Sequence, residues 1–234
     1  MKNYFTPIRS IAVATALGLL SASSASAIVI TPTGTTFGTL SAATFGGSGI
    51  PNDAVQITTI GNLTLGLTAT PRYNNPAVTN NGAGTFTAAA GGDTLHGLPA
   101  YAQWNFDFYV SGLGIGQSFK LVYDNDAAVG NDVATSFTSS VDGQNSWNLG
   151  MGFLNGGIFN PNASGEYGFA LVAYQYEWVE GPGLDLIWTG REIGRSAILV
   201  DVGNGSAVAD GGSVVLMLAG AFGGLALLRR RRAI

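Results

Sequence analysis

An all-β fold, an antiparallel β-sandwich or jelly roll, is what this chain predicts, on three observations. Apolar and polar residues alternate with period two in several separate stretches. Clusters of glycine, asparagine and aspartate punctuate those stretches as turns, and little helical periodicity lies between them. The two ends of the chain read differently, which divides it into residues 1–27, 28–207 and 208–234.

Residues 1–27 have the layout of an export signal. Lys2 and Arg9 give a basic start, residues 11–20 an apolar core, and Ala25-Ser26-Ala27 a small-residue cleavage site with Ala25 and Ala27 at its key positions. The apolar core is too short for a permanent span, so the mature chain is expected to start at residue 28.

Residues 28–100 are dominated by Thr, Gly, Ala, Asn and Pro, and read as loosely connected strands. Residues 55–59 and 63–67 form a hairpin around Gly61-Asn62, while Asn74-Asn75-Pro76 and residues 80–84 are turns. From residue 100 the pattern sharpens. Trp104, Phe106, Phe108 and Val110 share one strand face, leaving Asn105, Asp107 and Tyr109 on an outer, solvent-facing one. Phe119, Leu121 and Tyr123 repeat the alternation, as do Trp147, Leu149, Met151 and Phe153 ahead of an Asn155-Gly156-Gly157 turn. Residues 167–176 and 196–202 supply two further strands, and residues 181–194 an irregular loop or short helix.

The last part is built for a membrane. Residues 213–228 carry no charge and would span roughly 24 Å as a helix, near enough to the hydrocarbon core for local thinning to close the gap. Arg229, Arg230, Arg231 and Arg232 follow and mark a cytoplasmic end, a stop to transfer. Ahead of the helix, Val208-Ala209-Asp210-Gly211-Gly212 stays extended and accessible to a processing enzyme. This order of motif, apolar helix and Arg cluster resembles the PEP-CTERM sorting tail of Gram-negative bacteria, in its V-P-D-G-G variant, with Ala209 where that family has proline. The resemblance implies an exosortase-type membrane enzyme as partner, a transient inner-membrane anchor, and a final place at the cell surface or in an exopolysaccharide-rich biofilm matrix. Tyr101, Trp104 and Phe106, the stretch from Ser146 to Leu154, and Gly165 to Leu171 are likewise similar to ectodomains found on PEP-CTERM proteins. That likeness implies structure and brings no catalytic residue with it.

Charge and composition exclude several function classes. Residues 28–209 hold four basic and thirteen acidic residues, a net of −9 against −4 for the whole chain. So acidic a surface repels phosphate backbones, and nucleic acid is not an expected partner. With no cysteine and His96 as the sole histidine, a zinc site cannot be assembled. No G-x-S-x-G elbow accompanies His96, which reads as an ordinary loop residue, and catalytic residues are expected to be none. Glu177 and Glu180 around Trp178 give the carboxylate–aromatic mix of sugar sites and equally of plain sheet edges. Asp124, Asp126 and Asp132 cluster in one loop whose hard oxygens suit Ca²⁺, although the spacing is not that of an EF-hand. A solvated hairpin loop is the competing reading. The expected function is therefore an exported surface or matrix protein, structural or carbohydrate-interacting. The alternatives are a secreted carbohydrate-active enzyme on the same scaffold and a Ca²⁺- or sugar-binding adhesin module.

Overall fold

The computed structural model describes residues 30–128, 134–155, 159–180 and 186–203. The export signal with Ala25 and Ala27, the sorting motif from Val208 to Gly212, the apolar stretch, Arg229 to Arg232 and Asp132 all lie outside these residues. Among the described residues no helix is long and apolar enough to cross a membrane.

The chain forms β1 (Thr36–Gly38), β2 (Val55–Ile60), β3 (Leu63–Pro71), β4 (Thr79–Asn80), β5 (Thr85–Ala88), β6 (Gly92–Asp93) and β7 (Leu98–Ala102). It continues through β8 (Trp104–Ser111), β9 (Gln117–Asp124), β10 (Ala134–Ser139), β11 (Gly143–Trp147), β12 (Gly165–Glu180) and β13 (Leu186–Val202). One helical turn, α1 (Gly152–Asn155), and a 3₁₀ turn at Thr94–His96 interrupt the strands. A five-stranded sheet runs β1-β2-β3-β8-β11, a six-stranded sheet β10-β9-β12-β13-β5-β4, and β6-β7 is a small separate ladder. The pairings are antiparallel except β13 with β5, where Leu199–Val202 runs parallel to Thr85–Ala88.

The two large sheets pack face to face as a sandwich-like body, because each strand buries its alternate apolar residues against the other layer. Leu63, Leu65 and Leu67 of β3 and Trp104, Phe106 and Phe108 of β8 meet Phe119 and Leu121 of β9, Phe169 and Leu171 of β12 and Ile198 of β13. Phe106 and Phe169 stack between the layers at 4.4 Å, and Trp104 touches Tyr167 and Phe169. The expected β2–β3 hairpin is present, turning at Gly61 with φ of 59°.

Three expectations are corrected. Asp107 lies on the outer face of β8 but is fully buried, because residues 40–52 fold back over that face. This segment is an Ω-loop closed at its neck by Leu40 N–H donating to the Asn52 carbonyl, while Asn52 Nδ2 donates to the Leu40 and Ala43 carbonyls. Phe45 and Ala43 then form a second small core with Val55, Ile57 and Tyr109. The loop is pinned by Gln144 Oε1, which accepts from the Thr44 and Phe45 N–H groups at 2.8 and 2.7 Å.

The second correction is that the strand starting at Gly143 ends at Trp147, so Leu149, Met151 and Phe153 do not continue it. Asn148 breaks the run: its side chain bonds to both Ala102 backbone groups and accepts from Gly150 N–H. A turn and α1 follow. The third is that Leu186 onward is strand rather than loop or helix. Its glycines serve close packing there: a Cβ on Gly194 would collide with the Ile60 side chain, and one on Gly190 with the Tyr176 ring.

Candidate functional site

At the end of β3 the chain turns outward, and three side chains converge on one buried carboxylate, with two tyrosine rings packed against them. Arg72 Nε donates to Asp93 Oδ2 at 2.9 Å, Asn75 Nδ2 donates to Asp93 Oδ1 at 2.9 Å, and His96 Nδ1 meets the same oxygen at 2.7 Å. Burial pushes the Asp93 carboxyl up, but the hydrogen bonds from Asn75, His96 and Arg72 outweigh it and hold the group down at about 2. The Arg72 guanidinium lies between two rings, 4.8 Å from the centroid of Tyr73 and 5.0 Å from that of Tyr101. Tyr73 also packs on the His96 ring at 4.8 Å. His96 is therefore part of a built network rather than the loose loop residue its surroundings in the sequence imply.

Tyr73 is unusual twice over. Its backbone takes φ of 52°, a left-handed conformation disfavoured for an aromatic residue, and 69% of its surface is exposed. A strained backbone that holds a large ring out in water, braced from below by Arg72 and His96, is a feature that packing alone does not require.

Beside this ring opens a pocket of about 470 Å³ on the outer face of the five-stranded sheet. One wall is the Ω-loop at Gly47, Ser48, Gly49 and Ile50, the other is Arg72 and Tyr73, and Thr70, Asn105 and Ser146 form the floor. The floor groups are oriented by their neighbours. Asn105 Nδ2 donates to Ser146 Oγ at 2.9 Å, and Thr70 Oγ1 donates to Asp107 Oδ2 at 2.7 Å. Burial pushes the Asp107 carboxyl up to about 7, opposed in part by hydrogen bonds with Ser146 and Thr70. Among the described residues Asp107 Oδ1 has no hydrogen-bond partner. Neither Asp93 nor Asp107 reaches the surface, both being 0% exposed. What the pocket offers a ligand is hydroxyl and amide groups, one guanidinium and one aromatic face.

The acidic loop is arranged otherwise. Asp124 is buried at the end of β9, and its Oδ1 accepts the Asp126 N–H at 3.0 Å, while Asp126 Oδ1 accepts the Ala128 N–H at 2.6 Å. The two carboxylates thus cap successive turns of their own loop. Burial, then the charges of Asp124 and Asp126, push the Tyr167 hydroxyl up to about 12. Among the described residues no group of three or more His, Cys, Asp or Glu is placed to hold a metal ion. Glu177 lies near the far end of β12, away from the Tyr73 pocket, where Trp178 pairs in register with Trp188.

The sequence carries no sign of Tyr73 and Thr70, and it presents Asn105 and Ser146 only as structural residues. The available signals were weak: Arg72 is one of only four basic residues between the two ends, and Asp107 interrupts an aromatic strand. No protein-family model matches the chain, and no curated protein or solved structure is similar to it.

Proposed function

We propose that the chain is an exported, exosortase-sorted protein of the cell surface or extracellular matrix of a Gram-negative bacterium. In this reading it is not an enzyme, and its all-β body holds surrounding exopolysaccharide in the pocket beside Tyr73. The export signal over residues 1–27 and the tail from Val208 to Arg232 support the sorting half. The tail anchors the chain in the inner membrane until the exosortase-type partner processes it.

The exposed, braced Tyr73 ring over a neutral hydrogen-bonding floor carries the binding half. A sugar ring has an apolar C–H face and a rim of hydroxyls. The C–H face suits an aromatic surface, and the sugar hydroxyls suit the Thr70 and Ser146 oxygens as acceptors and the second amide hydrogen of Asn105 as a donor. The volume falls in the ordinary range for small-ligand pockets, roughly 300–1,000 Å³. A glycosidase needs two carboxyl groups flanking the bond it breaks, and among the described residues no carboxylate lines this pocket. Binding without turnover is the chemistry that these residues support.

The binding test uses the detergent-solubilised full chain and the organism's purified exopolysaccharide in titration calorimetry. Tyr73→Ala should weaken binding at least tenfold with little change in melting temperature, since the ring is mostly in water. Unchanged affinity removes the pocket from the reading. Sorting is tested separately by the intact mass of surface-released protein, which should lack residues 1–27 and the apolar tail. Replacing Arg229 to Arg232 by neutral residues should stop that processing; a variant trimmed like the parent shows that the tail is not the signal.

A further inference from the structure

We infer that β10 is a self-association edge, at which a second copy of this chain adds its own β10 antiparallel and extends the six-stranded sheet across a twofold axis. The proposal is independent of the Tyr73 pocket and of the sorting reading. An edge strand presents unpaired N–H and C=O groups, and proteins ordinarily blunt such edges with charge, proline, a bulge or shortness. Among the described residues the other outer strands of the two large sheets are β1 and β4, three and two residues long, and β11, which is five residues long and opens on a glycine. β10 is six residues of Ala, Ser, Thr and Phe, pairs regularly with β9, and carries no charge, no proline and no bulge.

Charge selects the occupant. Two copies whose 28–209 regions each carry a net −9 repel one another over most of their surface. β10 itself holds no charged residue; Asp132 precedes it by two positions and Asp142 follows it by three, and the two oxygens of Asp142 already accept the Gly112 and Leu113 N–H groups. Like can approach like here at little electrostatic cost.

The apolar content agrees. Phe137 is 40% exposed and Phe153 67% exposed, and both pack against Trp147, at 5.4 and 5.3 Å. Residues opposite each other in an antiparallel pair lie on the same face, so a twofold self-pairing must centre on a residue. Centred on Phe137, it sets that ring against its own copy and covers both exposed edges. Thr135 then faces Ser139, and Ser136 faces Thr138.

The chain has no cysteine, which makes cross-linking unambiguous. Opposite Cα atoms in an antiparallel pair lie about 4.5–5.5 Å apart, within disulfide reach. In the detergent-solubilised full chain under mild oxidation, Phe137→Cys should form a disulfide dimer at least tenfold faster than Ile115→Cys, a fully exposed position in the β8–β9 turn. The parent should sediment as a dimer of protein mass at micromolar concentration, and Phe137→Lys, which sets two ammonium groups face to face, as a monomer. Equal cross-linking rates, or a parent that stays monomeric because another segment of its own chain occupies the edge, would overturn the inference.

Discussion

The two flanks of the sandwich are closed by different means. On one, backbone closes the gap: residues 30–38 bridge Ala197 of β13 at Thr33 and then join β2 as β1. Ser196 Oγ donates to the Gln56 carbonyl and Thr58 Oγ1 to that of Arg195, so hydroxyls lace one sheet to the other. On the opposite flank no strand crosses among the described residues, and rings fill the space. Phe119, Phe137, Trp147 and Phe153 form a chain of contacts, with Trp147 also meeting Phe108 at 4.9 Å. Hydrogen bonds are directional and modest in net worth, whereas buried rings contribute more and specify less. Register is fixed on the laced flank, and cohesion comes more from the aromatic one.

Trp104 belongs to neither flank and sets the scale. It is 2% exposed between Tyr167 and Phe169, and Trp104→Ala should cost about 3–5 kcal/mol in urea unfolding. The next largest effect separates both flanks from the outer face. Asp107 titrates near 7 in the folded chain and at about 3.8 when exposed, so its contribution is complete below about pH 4 and declines as pH rises to about 7. Asp107→Asn should abolish a fall of a few kcal/mol across that window, while flank variants should keep it. Asp93 works in the opposite sense: held at about 2, it stabilises above pH 4 and loses that contribution as the solution is acidified toward 2.

On the aromatic flank, Trp147→Ala should cost about 2 kcal/mol, less than a core tryptophan because the ring is only partly buried. Ser196→Ala on the laced flank should cost about 1 kcal/mol by removing one buried hydrogen bond. Equal costs from the two flanks in the same denaturant series would show that the contrast between them is geometric only.

The inner faces were legible because alternation reports burial when the partner layer is a sheet. Trp104, Phe106, Phe108 and Val110 face the core as their spacing requires. The outer face of the same strand was not. Asn105, Asp107 and Tyr109 look solvated from their polarity, and nothing near them in sequence announces an Ω-loop some sixty residues earlier that covers them. The pocket depends on that loop, so its floor was hidden for the same reason. Trp147 onward misled differently: period two persists in Leu149, Met151 and Phe153, yet one asparagine with bonds to Ala102 and Gly150 diverts the backbone. In the later strands, glycines that would mark a turn instead admit a neighbour.

The bridge from Thr33 to Ala197 also sets the order in which the molecule can be finished. Its two backbone hydrogen bonds, 3.0 and 2.7 Å, join residues separated by nearly the whole described length, and β5 pairs with Leu199–Val202 just beyond. A chain that is delivered N-terminus first must wait for β13 before either contact can form. Until then β5 lacks its principal neighbour and β1 lacks the crossover that anchors the preceding residues. Closing so long a loop is entropically slow, and strands dominated by distant pairings fold late. During that interval the early strands are open to wrong partners, so a holding factor that covers them should raise the yield of folded protein most when β13 is delivered late.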